Sequence, residues 1–126
     1  MEKRSALQVF EALSSGIRLD VYRCLVVAGR QGMVAGEIAA TLDIPPTNLS
    51  FHLKNLTQSG LLNVAQEGRF QRYRANIETM LEVIAYLTEN CCAGRPHECA
   101  DFRRSQPGLA ALLPPLDCPA EESDHP

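Results

Sequence analysis

Pro45-Pro46-Thr47-Asn48-Leu49-Ser50-Phe51-His52-Leu53-Lys54-Asn55-Leu56-Thr57-Gln58-Ser59-Gly60-Leu61-Leu62 is the stretch on which the reading of this chain turns. Leu49, Leu53 and Leu56 stand at i, i+4 and i+7, which places them on one stripe of a helix, and Gly60 can adopt the left-handed conformation that ends it. The stripe faces a core. Outside it stand Thr47, Asn48, Ser50, Phe51, His52, Lys54 and Asn55, with no acid anywhere between Asp43 and Glu67. Such a face can approach phosphates and base edges without like-charge repulsion, so these seven residues are the candidate contacts of a DNA recognition helix. An ordinary solvated helix has the same periodicity, and the neighbouring segments decide between the two.

Working upstream, Gly36–Leu42 reads as a short helix with Ile38 and Leu42 inward, preceded by Gly32-Met33-Val34-Ala35 as a connector or short edge strand. Asp43-Ile44-Pro45-Pro46 turns into the next helix, and a proline suits the first helical position because its missing N–H would be orphaned there. Helix, tight turn, helix is the helix-turn-helix plan. Downstream, Leu61–Gln66 and Phe70–Ala75 suit two strands joined around Glu67-Gly68-Arg69, a wing behind the helix-turn-helix. Arg69 at its tip, with Arg72 and Arg74 beyond, is expected to reach phosphates or the minor groove. Phe70 and Tyr73 are three apart and cannot share a face of a regular strand, so a twist or bulge is expected between them.

The flanking helices carry more apolar surface than a small core needs. Ala6–Leu13 has Leu7, Val9, Phe10 and Leu13 at helical spacing, broken by Ser14-Ser15-Gly16, and Ile17–Ala28 follows with Ile17, Val21, Leu25 and Ala28 on one stripe. Cys24 on that helix reads as a small core hydrophobe. Asn76 fits an N-cap, and the helix behind it carries Ile77, Met80, Leu81, Ile84 and Leu87, a stripe widened by Val83 and Tyr86. Together with Leu7 and Phe10, that stripe is expected to pack against a second copy of the chain. The predicted fold is therefore mainly α with a small β-hairpin, a homodimeric winged helix-turn-helix of order α-α-α-α-β-β-α. Residues 1–90 form the DNA-binding and dimerisation domain, and residues 91–126 a cysteine-containing tail with six of the eight prolines. Within that tail Leu109–Leu113 is expected to make a helical turn, and Pro119–Pro126 no ordered structure.

Composition bounds the rest. With 45% apolar and 21% charged residues the chain is that of a globular protein, and 126 residues suit one domain. The net charge of −3 is unevenly spread: residues 89–126 hold seven acids against three bases, whereas Ile44–Ala75 hold Lys54, Arg69, Arg72 and Arg74 against Glu67 alone. Gln8 and Glu11 interrupt the first apolar segment, so neither a secretory segment nor a membrane span is expected and the protein is assigned to the cytoplasm. Five cysteines in a reducing compartment then read as thiols rather than a disulfide framework. The chain has no Gly-rich phosphate loop, nucleophile elbow or HExxH, so no enzymatic activity is expected.

In this order of elements the chain resembles the ArsR/SmtB family of winged-helix metal- and metalloid-responsive repressors over about residues 5–90. The resemblance rests on Leu49–Leu56 with Ser59-Gly60-Leu61-Leu62, like the family's Ser-x-His-Leu helix and its Gly-Leu exit. It rests also on the wing from Glu67 to Arg74. It implies a homodimer that binds a palindromic operator in double-stranded DNA, represses its own operon and leaves DNA when metal binds. Two departures stand out. Pro45-Pro46 replace the Ser-Gln with which many members open the recognition helix. Val34-Ala35-Gly36-Glu37-Ile38 lacks the Cys-x-Cys pair of members that sense from the preceding helix.

A sensor must then lie elsewhere, and Cys91-Cys92-Ala93-Gly94-Arg95-Pro96-His97-Glu98-Cys99 is the dense thiol cluster. Soft thiolates select thiophilic ions, and three of them neutralise As(III) or Sb(III), whose lone pair occupies the open side of a trigonal pyramid. Cys91, Cys92 and Cys99 are the candidate ligands, with arsenite, antimonite or a methylated arsenical as the inducer and no organic cofactor. Zinc, which wants a fourth ligand, would recruit His97 or Cys118, and Cd(II), Pb(II) or thiol oxidation are the other readings of the same cluster.

Overall fold

Helix α1 (Lys3–Leu13) turns Ala6, Val9 and Ala12 inward and leaves Leu7 and Phe10 exposed. The small alanines let it approach its neighbours closely. Helix α2 (Gly16–Ala28) is capped by Ser15, whose Oγ accepts the Arg18 N–H at 3.3 Å, and it buries Val21, Tyr22 and Leu25. Ile17, expected on that stripe, is instead exposed, because Arg18 occupies the position one turn before Val21 and Tyr22. Its Nε donates to the Ala12 carbonyl at 2.7 Å, placing a cation on the C-terminal carbonyls of α1. Cys24 is half-buried with its Sγ 3.6 Å from Met33 Sδ, and burial pushes its thiol pKa up, which suits a packing residue.

The computed structural model describes residues 1–106 and Gly108, apart from the side chains of Cys91, Cys92, Pro96, Cys99, Phe102 and Arg103. A 3-10 turn at Gly29–Gln31 leads into strand β1 (Met33–Val34) and helix α3 (Ala35–Leu42), whose Glu37 carboxylate accepts the Val34 N–H at 3.0 Å. Gly32 has φ +62, and a Cβ there would collide with the Tyr73 carbonyl oxygen and the Arg74 side chain, so only glycine fits. Asp43, left-handed at φ 53, ends α3, and helix α4 (Pro46–Gln58) begins with Pro46 at its first position. Leu49, Leu53 and Leu56 are buried as their spacing requires, each contributing about 1.5–3 kcal/mol by leaving water. Gly60, at φ +89, closes the helix.

Strands β2 (Leu62–Glu67) and β3 (Phe70–Ala75) form the hairpin, and β1 pairs with the other edge of β3 in an antiparallel sheet of order β1-β3-β2. The register is one-to-one from Leu62 opposite Ala75 to Glu67 opposite Phe70, so the expected bulge is not formed. Phe70 and Tyr73 simply lie on opposite faces: Tyr73 packs on the core, and Phe70 stays exposed at the hairpin end. The turn is Gly68-Arg69 with Gly68 at φ +60, the position where a type II′ turn needs glycine.

Helix α5 (Ile77–Leu87) begins at Asn76, whose Oδ1 accepts the Thr79 N–H at 3.4 Å while its Nδ2 donates to the Gly60 carbonyl at 3.0 Å. The cap thus ties the exit of α4 to the entry of α5. Val83 is buried, and Met80, expected at a subunit contact, is half-buried and packs against the same cluster. Met80 stands three positions before Val83 and shares its side of the helix.

This first compact unit is Met1–Leu87, and a second begins at Thr88, three residues before the expected tail. The second unit contains helices α6 (Cys91–Gly94) and α7 (Pro96–Arg104), the latter not anticipated from sequence. Its signals are there: proline at the first position, Glu98 in the first turn, and Arg95–Glu98 and Arg104–Asp101 ion pairs. The expected turn at Leu109–Leu113, Cys118, and the segment Pro119–Pro126 with His125 lie outside the described residues. Among the described residues no helix is long and apolar enough to cross a membrane.

Candidate nucleic-acid interface

The leucine stripe of α4 fixes which side chains point away from the core. Thr47, Phe51, Lys54 and Gln58 fall on the line directly opposite it, at i, i+4, i+7 and i+11, and all four are exposed. Ser50, also exposed, flanks that line on the side of the hairpin, where Ser50, Lys54, Gln58, Val64, Gln71 and Tyr73 border a groove of about 320 Å³. Asn48 is exposed on the other flank, and Asn55 and His52 are half-buried there. Asn55 borders a cleft with Gln8 and Glu11 of α1. His52 stands with its ring edge-on to Phe51, centroids 6.1 Å apart and planes at 84°, and its Nδ1 is enclosed without a protein partner. Gln58 and Gln71 are additions to the sequence-predicted set. Gln58 was legible as the next member of the Thr47, Phe51, Lys54 line.

Alternation along the strands divides the hairpin into two unlike faces. Val64 and Gln66 on β2 and Gln71 and Tyr73 on β3 look toward the α4 side, joined by side-chain hydrogen bonds: Tyr73 Oη donates to Gln71 Oε1 at 3.0 Å, and Gln71 Nε2 to Gln66 Oε1 at 3.3 Å. Burial pushes the Tyr73 phenol pKa up, so this donor stays protonated. Arg72 and Arg74 occupy the other face. Arg72 Nε donates to Glu67 Oε1 at 2.9 Å and its Nη1 to the Gln31 carbonyl at 3.1 Å; Arg74 Nε donates to the Arg30 carbonyl at 2.7 Å and its Nη2 lies 3.9 Å from Glu67 Oε2. In the DNA-free chain both guanidinium groups are thus engaged by partners of their own chain. Strand alternation carries them away from α4, and Glu67 with two backbone carbonyls engages their guanidinium groups. Arg69, in the turn, is exposed and remains at the tip.

What results is a polar, acid-free helix face, a groove bordered by glutamines and a tyrosine, and a cation at the end of a hairpin. Residues 13–65 match the helix-turn-helix domain family. The chain has the winged helix-turn-helix fold. Over 62 residues, 49% of this chain and 61% of the other, it is 36% identical to a Bacillus subtilis (strain 168) protein described as an uncharacterized HTH-type transcriptional regulator, YceK. The alignment thus spans about three fifths of that relative. Among solved structures it is similar to an ArsR-like transcriptional regulator from Rhodococcus sp. RHA1, 27% identical with a TM-score of 0.61, covering 80% of this chain and 92% of that one. It is also similar to the homodimeric winged helix-turn-helix DNA-binding domain of a possible ArsR-family regulator from Mycobacterium bovis, 26% identical with a TM-score of 0.52, covering 68% of this chain and 83% of that one. Its structural neighbours are thus winged-helix regulators of the ArsR type.

A second exposed face differs in kind. On α5, Ile77, Leu81 and Leu87 are 46%, 41% and 60% exposed, and on α1 Leu7 and Phe10 are 58% and 38% exposed. Ile84 is half-buried on the same side of α5 as Ile77 and Leu81. Of the candidate thiols, Cys91 falls in α6 and Cys99 in α7, with Cys92 beside Cys91, and their side chains are outside what the structure describes.

Proposed function

We propose that this chain is a cytoplasmic, homodimeric transcriptional repressor that holds operator DNA and releases it when As(III) or Sb(III) is captured by Cys91, Cys92 and Cys99. The DNA reading is carried by one observation, the acid-free outer face of α4 beside a wing tipped by Arg69. The dimer reading is supported by the exposed apolar residues of α1 and α5 and by the homodimeric relative. Two recognition helices must match major grooves about 34 Å apart, so whatever moves the subunit contact alters DNA affinity. Cys91 follows the last residue of α5 by four positions. Capture of an ion by thiolates on both sides of Gly94-Arg95 constrains the chain next to the proposed contact. Linkage then makes DNA and inducer weaken each other by one factor, typically about 1–3 kcal/mol.

A gel-shift assay on a binding site selected from random duplexes tests this. The wild-type protein retards the DNA and arsenite reverses the shift, whereas Cys91→Ser, Cys92→Ser and Cys99→Ser stay bound. An unchanged arsenite response in all three variants would overturn the thiol site. Release by Cd(II), Pb(II) or Zn(II) in place of arsenite, or by peroxide, would reassign the inducer. Each thiol that binds gives its proton to a hydroxide that leaves As(OH)3 as water, so arsenite capture is nearly independent of pH while the thiols are protonated, whereas capture of a divalent ion such as Cd(II) releases protons and tightens as pH rises.

A further inference from the structure

We infer that Phe51 makes this protein a reader of thymine, through the C5-methyl group that thymine presents in the major groove. The inference rests on the DNA-binding reading above and asks what that face selects. Phe51 is 69% exposed in the middle of the outer line of α4, between Thr47 one turn before and Lys54 and Gln58 after, all polar. Its ring covers none of the core residues, which lie on the opposite side of the helix. The half-buried His52 ring stands edge-on to it at 6.1 Å and 84°.

A phenyl ring can neither donate nor accept a hydrogen bond, so seating it against a polar base edge would desolvate that edge without replacing its partner. The major-groove edges of guanine, cytosine and adenine present donors and acceptors, and the apolar group in that groove is the methyl of thymine. Phe51 is the sixth residue of α4, within the N-terminal part of a recognition helix that meets base edges. The ring therefore buries itself best over a thymine methyl, and by the same chemistry over 5-methylcytosine.

The test uses the full chain and a duplex selected from a random pool, in which each thymine in turn is replaced by deoxyuridine, a change that removes the methyl and keeps the pairing. One thymine per half-site should weaken wild-type binding about fourfold when replaced, the equivalent of ~0.8 kcal/mol for one buried methyl group. Replacing both should cost about fifteenfold. Phe51→Ala should bind thymine and deoxyuridine duplexes alike; if it binds too weakly, lower salt strengthens the phosphate contacts and keeps the ratio measurable. Placing 5-methylcytosine for cytosine in a variant site should restore affinity for the wild type and not for Phe51→Ala. Wild-type indifference to every methyl, or discrimination that survives in Phe51→Ala, overturns the inference while leaving DNA binding intact. Failure of the wild type to select any duplex overturns the DNA-binding reading itself.

Discussion

Helices α4 and α5 press one stripe each into the same core, yet what they leave outside has little in common. Beyond Leu49, Leu53 and Leu56, α4 shows Thr47, Lys54 and Gln58 around a single phenyl ring. Away from Val83, α5 shows Ile77 and Leu81 beside Glu78, with Leu87 exposed at its last residue. Inward residues say how a helix packs, and outward ones say what it meets. A hydrated polyanion matches the first face, and a second apolar surface the second.

The strongest way to break this contrast is to charge the α5 face. Leu81→Asp should leave the fold intact, yield a monomer in sedimentation, and lower operator affinity by roughly 10²–10⁴ through loss of bivalency. A monomer that binds as tightly as the wild type would show that the α5 face serves something else. Next in size is a change that touches neither face. Gly32→Ala sets a side chain against β3 at positive φ and should destabilise by about 2–4 kcal/mol in chemical denaturation, weakening both activities together.

Smaller effects sharpen the contrast within the wing. Arg69→Ala should reduce the slope of log affinity against log salt by about one unit per half-site, because one phosphate contact is lost. Arg72→Ala should leave that slope unchanged and cost at most about 1 kcal/mol of stability, since its pairing with Glu67 is partly exposed. Equal slopes for the two variants would mean that the two hairpin faces are not distinguished in solution.

Most of the fold was legible because its punctuation is local. Pro46, Gly60 and Asn76 mark helix ends by chemistry that needs no tertiary knowledge, and the leucine period of α4 names its buried side. The inward side of α1 was harder to read, since hydrophobicity ranks Leu7 and Phe10 above Ala6 and Ala12, whereas close approach between helices favours the small side chains. Ile17 gave way to Arg18 because the end of α1 offered carbonyl acceptors that no pattern within α2 reveals. The outward residues of α4 followed from periodicity. The wing arginines did not, because strand alternation shows that Arg72 and Arg74 share a face without saying that Gln31 and Arg30 wait on that side. Nor did Gln71 and Tyr73 announce themselves: their place on the groove depends on which hairpin face turns toward α4.

The bonds from Arg72 and Arg74 to the carbonyls of Gln31 and Arg30 make the hairpin a cantilever clamped at its root. A load applied at Arg69 cannot be dissipated by bending at the base of β3 alone. In the proposed complex, a duplex held at Arg69 would therefore also be tied, through β3, to the loop at the end of α2.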